Sequence, residues 1–435
     1  MKIIFKNIKG NKVDYGIYLT TMTIGFSIIY IFNSILYNEL LDRIIKNFDK
    51  ANGVFYAALM VVIISMGVFM YYANSFFIKK RKKEFGIFML LGMGKKKVAK
   101  MIFTENIVIG AIATVVGTIA GIILSQFITI AYLDIFNLKS IESMSWINSK
   151  ALLVTIIVFW IFYLYVSLGS ADIVNRYTLL QLFNDSKSSE KLFKEKVVKG
   201  IPAVILIILG YLTYPWAIAT LGLSVIVTLI IVVKGTYKLF NTKIIEGIKK
   251  KKAGNGFEDK VKLVALSNVL FRVRSNARTL STITILIAST LTTVGICSTL
   301  YFSRDSGINN EIAGSIYFVG IFIGIVFTIC TLSILLFKLM QEAYEERNRY
   351  KILKQIGFTR KDIDKTISTQ LKLIYIIPLV IGLIHATVAL SITILGLGGK
   401  FFVVIGGIYL IYMAIYFVYF VITKILYSYI IFNEN

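Results

Sequence analysis

Lys79–Glu105 reads KKRKKEFGIFMLLGMGKKKVAKMIFTE. It carries nine Lys and Arg between two long apolar runs, too much charge to lie in hydrocarbon. The pattern predicts a short amphipathic helix, a turn at Gly92 and Gly94, and a basic helix start that feeds the next apolar run. A related pattern returns 265 residues later at Glu342–Gln370, EAYEERNRYKILKQIGFTRKDIDKTISTQ. Sliding one onto the other sets Phe85 on Tyr350, Leu91 on Ile356, Gly92 on Gly357, Lys95 on Arg360 and Glu105 on Gln370. The chain thus presents one polar element twice, each time between two predicted membrane spans.

The rest of the 435 residues supports that frame. The chain is 57% hydrophobic with a mean hydropathy of +0.77, more apolar surface than a soluble domain can bury. Ten apolar runs are long enough, or nearly so, to cross hydrocarbon as helices. They lie near Tyr15–Tyr37, Phe55–Ile78, Met101–Leu133, Ala151–Gly169, Ile201–Tyr214, Trp216–Val233, Thr279–Phe302, Ile312–Leu336, Leu373–Leu395 and Phe401–Ile422. The fifth is short and ends at Pro215, so the fifth and sixth read as a tight hairpin. The basic N-terminal stretch and the long first apolar run predict a retained span and no cleaved signal peptide.

The net charge of +25 would suggest nucleic acid in a soluble protein. Its distribution gives another reading. With the N-terminus placed in the cytoplasm, the inner segments hold 41 of the 48 Lys and Arg. That bias predicts both termini in the cytoplasm of a multi-pass cell-membrane protein, contact with anionic lipids, and no nucleic-acid partner.

The repeat extends beyond the polar elements. Asn7 and Asn268 each lie in a basic helix before a span, 85 and 89 residues ahead of Gly92 and Gly357. Each half then runs span, outer loop, span, polar element, span, outer loop, span. The expected organisation is a first repeat at 1–183, a two-span hairpin with a basic linker at 184–261, and a second repeat at 262–435. The fold class is all-α: about ten transmembrane helices, with two four-helix repeats flanking a two-helix insert.

An amphipathic helix at an inner surface can anchor to lipid or fit a groove on a partner protein. Basic residues alone explain the first. The repeated apolar positions around a shared glycine favour the second, because a symmetric partner offers two equivalent grooves. Gly110, Gly117 and Gly121 share a face of the third span, as Gly320 and Gly324 do in the eighth, which predicts close helix packing within the bundle. Glu105, Gln370 and His385 are the intramembrane polar candidates. The first two are expected to hydrogen-bond inside the bundle near span ends, and His385 to bond a neighbouring helix, with Pro378 placed to bend its span. Cys297 and Cys330 lie at different depths and are not expected to pair. No P-loop spacing, Cys/His metal spacing or catalytic constellation occurs, so no cofactor or catalytic activity is expected of this chain.

KKRKKEFGIFMLLGMGKKKV resembles the signature of the FtsX-like permease domain of ABC transporters, a basic stretch with a glutamate, spaced apolar residues and a glycine before a basic helix. RNRYKILKQIGFTRKDI resembles it less closely, with Arg349 in place of the glutamate. LSNVLFRVRSNARTLSTI is similar to the family's helix before a span, and SADIVNRYTLLQLF, Ser170–Phe183, to the segment after its fourth span. Two such repeats around two extra spans resemble the bacitracin-export-type (BceB-like) branch over nearly the whole chain. The departure is Phe302–Glu311, a short stretch where that branch carries a large extracellular domain.

The resemblance implies a permease subunit that transmits ATP hydrolysis across the membrane, in resistance to, export of or sensing of antimicrobial peptides in Gram-positive bacteria. ATP and magnesium would reside on a separate ATPase subunit, in two copies. Lys82, Glu84, Phe85, Leu91 and Gly92, with Arg349, Tyr350, Ile356 and Gly357, would form the two coupling elements that meet it. A membrane histidine kinase and a separate subunit with an extracellular domain are the further partners implied. The alternatives are an ATPase-linked regulator of a cell-wall hydrolase or sensor kinase, and an ion-coupled secondary transporter.

Overall fold

The computed structural model describes residues 12–38, 48–136, 147–176, 201–214, 223–254, 260–302, 310–396 and 402–433. These residues are helical almost throughout and include no strand. In chain order the helices are α1 Lys12–Leu36, α2 Phe48–Lys80, α3 Lys82–Leu90, α4 Lys95–Ile135, α5 Ser149–Arg176, α6 Ile201–Thr213 and α7 Leu223–Leu239. They continue with α8 Ile245–Gly254, α9 Lys260–Phe302, α10 Asn310–Gln355, α11 Arg360–Gly396 and α12 Phe402–Phe432, and a π-helical turn, Phe240–Ile244, joins α7 to α8. Asn7 and Pro215, most of the outer loops, the end of Ser170–Phe183 and residues 303–309 of Phe302–Glu311 lie outside the described residues.

Eight of the described helices, α1, α2, α4, α5, α9, α10, α11 and α12, are long and apolar enough to cross a membrane. The remaining two of the ten expected spans are the hairpin helices, described over 13 and 17 residues; residues 216–222 of the expected sixth span lie outside the described residues. At 1.5 Å per residue the 13 residues of α6 reach about 20 Å, against about 30 Å of hydrocarbon.

The chain divides into two compact units, Met1–Leu192 with Arg304–Val326, and Phe193–Ser303 with Phe327–Asn435. In the first, α1 is the central helix, buried over most of its length and packed on α2, α4 and α5. Its aromatic side chains explain the glycines of α4. A Cβ on Gly117 would lie 2.9 Å from the ring of Phe26, and one on Gly121 2.8 Å from that of Tyr30. A Cβ on Gly110 would stand 2.4 Å from the Tyr163 ring of α5. The glycine face therefore packs inside the bundle, as its spacing predicts. Buried polar pairs fix the register: Asn33 donates to Thr155 at 3.1 Å, Tyr18 to Asn74 at 3.0 Å, and Ser27 to the Gly117 carbonyl at 3.0 Å.

In the second unit α9 is the central helix, packed on α11, α12, α7 and α8. Its backbone leaves helical geometry once, at Asn276 (φ −117°, ψ 16°). α11, where Pro378 marked the expected bend, continues as one helix through that residue. The hairpin helices pack closely through glycine: a Cβ on Gly210 would lie 2.7 Å from Val232, and one on Gly235 2.7 Å from Ile207. Cys297 and Cys330 are both free thiols.

Candidate functional site: two helix–glycine–helix elements

The polar elements share a backbone. α3 ends when Gly92 takes φ +90°, and α10 ends when Gly357 takes φ +96°. At the first, Gly92 N–H donates to the Met89 carbonyl and Met93 N–H to that of Phe88. At the second, Gly357 N–H donates to Lys354 and Phe358 N–H to Leu353, each 265 residues on. This is the Schellman arrangement, which satisfies the last carbonyls of a helix and needs a left-handed residue that glycine supplies without a Cβ penalty. The next helix starts at once in both. Gly94 is the N-cap of α4. Thr359, its counterpart, forms a reciprocal capping box with Asp362: Thr359 N–H donates to Asp362 Oδ2 at 3.0 Å and Asp362 N–H to Thr359 Oγ1 at 3.2 Å. The elements differ upstream. The helix before Gly92 is interrupted at Arg81, whereas α10 runs from its membrane span to Gln355 without a break.

Side chains divide sharply between core and surface. Phe85 (0% exposed), Tyr350 (3%) and Lys82 (8%) are buried, so these three act as anchors. Leu91 (79%) and Ile356 (68%) are open, together with Ile87, Leu90 and Ile352. Gly92, Gly357 and Arg349 are also exposed, and Arg349 lies over the Phe271 ring at 5.5 Å. Apolar side chains thus stand on the surface of both elements directly before the glycine.

Each element is pinned to its bundle by a buried ion cluster. In the first, Arg81 binds Glu105 Oε2 through Nη1 at 2.5 Å and Glu84 Oε2 through Nε at 2.9 Å. Tyr15 donates to Glu105 Oε2 at 3.0 Å, and the guanidinium lies 5.0–5.2 Å from the ring centres of Tyr15, Phe77 and Phe85. Burial alone would lower the Arg81 pKa. The hydrogen bond and charge of Glu105 more than offset this and raise it, so the guanidinium stays charged.

In the second cluster the cation comes from α9. Arg272 binds Glu342 at 2.9 Å and Glu346 at 2.5 Å, and donates to the Tyr427 hydroxyl at 2.5 Å. Asn276, at the break in α9, donates to Glu342. The Gln370 amide satisfies its neighbours with its oxygen on Arg272 and its nitrogen on the Tyr350 hydroxyl, 3.0 Å away.

The 265-residue offset sets Glu346 on Arg81, Gln370 on Glu105 and Arg349 on Glu84. The charge on the element is reversed, and the partners follow. Glu84 sits three residues after a cation. A glutamate at 349 would sit three residues after Glu346 and repel it. An arginine at 349 avoids that repulsion.

Of the three intramembrane polar candidates, Glu105 and Gln370 lie in these two clusters, each within its own unit. His385 lies elsewhere. Its Nδ1 is 2.7 Å from the Tyr211 hydroxyl of α6, and its Nε2 is 3.1 Å from Thr236 Oγ1 of α7. The histidine thus ties the inserted hairpin to α11. Sequence reading did not single out Tyr15, Arg81, Arg272, Glu342, Glu346 or Tyr427. A usable signal was present: two carboxylates four residues apart at Glu342 and Glu346, and Arg272 in the apolar-flanked stretch LSNVLFRVRSNAR.

These features define a multi-pass all-α membrane protein with duplicated polar elements between spans. Residues 56–173 match the FtsX-like permease C-terminal family, so the first unit carries an FtsX-like permease domain. The chain is homologous to bacitracin export permease protein BceB. It is 27% identical to that of Halalkalibacterium halodurans over 70% of this chain and 48% of the relative. To that of Bacillus subtilis it is 25% identical over 73% of this chain and 51% of the relative. It is also 25% identical to the B. subtilis ABC transporter permease protein YxdM, over 68% of this chain and 47% of the relative. The chain spans about half the length of the curated relatives it matches.

Proposed function

We propose that this chain is the permease subunit of an ABC transporter of the bacitracin-export type, and that its two helix–glycine–helix elements receive the stroke of a separate ATPase. The observation that carries this reading is the repeated surface: Leu91 and Ile356, the most exposed apolar residues of the two elements, each stand before a left-handed glycine. Apolar side chains exposed on a basic, water-facing element favour a groove on a partner protein. Two copies of the element match two copies of an ATPase subunit, which supplies ATP and magnesium. The similarity to bacitracin export permeases points to antimicrobial-peptide resistance, export or sensing as the setting. A kinase or a subunit with an outer domain fits the same reading.

The two buried ion clusters support this reading over ion-coupled transport. Each joins a polar element to its bundle, and Arg81, Glu342 and Glu346 stand on or just before the elements. The clusters would make each element move with its spans.

The test is ATPase activity of the reconstituted complex. Leu91→Asp and Ile356→Asp, at open positions that leave the core intact, should each lower peptide-stimulated hydrolysis at least tenfold, with membrane insertion unchanged. Full stimulation in both variants would refute the coupling assignment.

A further inference from the structure

A cleft of about 620 Å³ opens where the first turns of α11 meet the last turns of α12, lined by Arg360, Lys361, Asp364, Lys365, Ser368 and Lys424. Its only carboxylate is already engaged: Asp364 Oδ2 lies 3.4 Å from Lys424 Nζ, and Oδ1 accepts from Ser428 at 3.4 Å. The lining therefore carries three cations in excess. Arg360 lies over the Phe432 ring at 4.8 Å, which holds its guanidinium at the rim.

The surface leading away from the cleft is apolar on α12, and on α11 it becomes apolar beyond one further cation, Lys372. On α11 the exposed positions run at helical spacing from Lys365 through Lys372 to Ile376 and Val380. On α12 the exposed Phe417 and Val421 precede Lys424 by two turns and one turn. Both helices are long and apolar enough to cross a membrane. Cations thus stand at the end of the exposed apolar face of α12 and ahead of that of α11.

We propose that this cleft binds the anionic headgroup of a membrane lipid. The phosphate sits among Arg360, Lys361 and Lys365, with Ser368 as a neutral donor, and the acyl chains lie along Ile376, Val380, Phe417 and Val421. Phosphate oxygens satisfy the excess cations, and basic pockets between spans recognise acidic headgroups in this way. A soluble protein could reach the cations but not the apolar surface beyond them. The inference rests on the helices crossing a membrane; the cleft lies on the second polar element, past the glycine turn and apart from the exposed Ile352 and Ile356 that the coupling reading uses.

Native mass spectrometry of the full chain in mild detergent tests it, with phosphatidylglycerol and phosphatidylcholine titrated separately. Phosphatidylglycerol should bind more tightly. K361Q/K365Q should weaken it about 25-fold, at about fivefold per cation, and leave phosphatidylcholine unchanged. K361R/K365R should restore it, and K249Q/K250Q, with the same charge loss on α8, should leave both lipids unchanged. Equal loss in the two glutamine pairs would reduce the effect to net charge and overturn the site. Displacement of phosphatidylglycerol by millimolar inorganic phosphate would assign the cleft to a free anion instead. Wild-type lipid binding in K361Q/K365Q together with lost ATPase-subunit binding would make it a protein contact.

Discussion

Arg81 and Glu346 occupy the same place in two copies of one element and carry opposite charges. What persists is a buried, neutralising cluster at the junction of element and bundle; which helix supplies the cation does not persist. Breaking a buried pair costs more than replacing it, because the remaining ion stays desolvated. Arg81→Met should therefore destabilise the protein by about 3–5 kcal/mol. Adding Glu105→Gln should recover a large part of that loss. Thermal unfolding in detergent measures both, and a double variant no better than Arg81→Met would show that the pair is not the source. His385 has a smaller role. Its two hydrogen bonds dock the hairpin, and such bonds average about 0.6 kcal/mol in membrane proteins. His385→Phe should leave the bundle folded and speed proteolysis around the hairpin; unchanged proteolysis would mean that the hairpin is held by packing alone.

The elements are built by a backbone device as well as by side chains. Gly92 and Gly357 have open space around a notional Cβ, so an alanine there meets no clash and feels only the left-handed backbone. Gly92→Ala and Gly357→Ala should each cost about 1–2 kcal/mol, and the asparagine variants less. Gly110 is the opposite case. Its Cβ would stand 2.4 Å from a Tyr163 ring carbon, so Gly110→Ala should cost about 1–3 kcal/mol through overpacking. Tyr163→Leu should relieve part of that cost in the double variant. Shifts in unfolding temperature, compared across these variants, separate backbone strain from steric conflict. The glycine turns were legible because glycine takes that backbone at the least cost and both copies keep it. The ion clusters were not, because their partners lie on helices far apart in sequence, such as Arg272 and Glu342, and a run such as Lys79–Lys83 hides which cation turns inward.

At the scale of the whole molecule, eight long spans were legible from length and apolar content, and the hairpin pair was the place where length alone was least decisive, because its first apolar run is short and ends at Pro215. The hairpin's attachment was half legible: an intramembrane histidine needs a partner, but sequence could not show that Tyr211 and Thr236 both reach it. The division of the elements into anchors and contact surface emerged only from burial. Phe85 and Tyr350 face inward, and Leu91 and Ile356 face out. If the elements receive a partner's stroke, the open positions must touch it and positions along the lipid-facing spans must not. Site-specific crosslinking from Leu91→Cys, Ile356→Cys and Leu153→Cys in the complex isolated from native membrane is the most direct measurement. The account predicts that the first two each capture an ATPase subunit and that Leu153→Cys, exposed in the first turns of the α5 span, captures none. No capture at either element, from a complex in which the ATPase is present, would contradict the central claim.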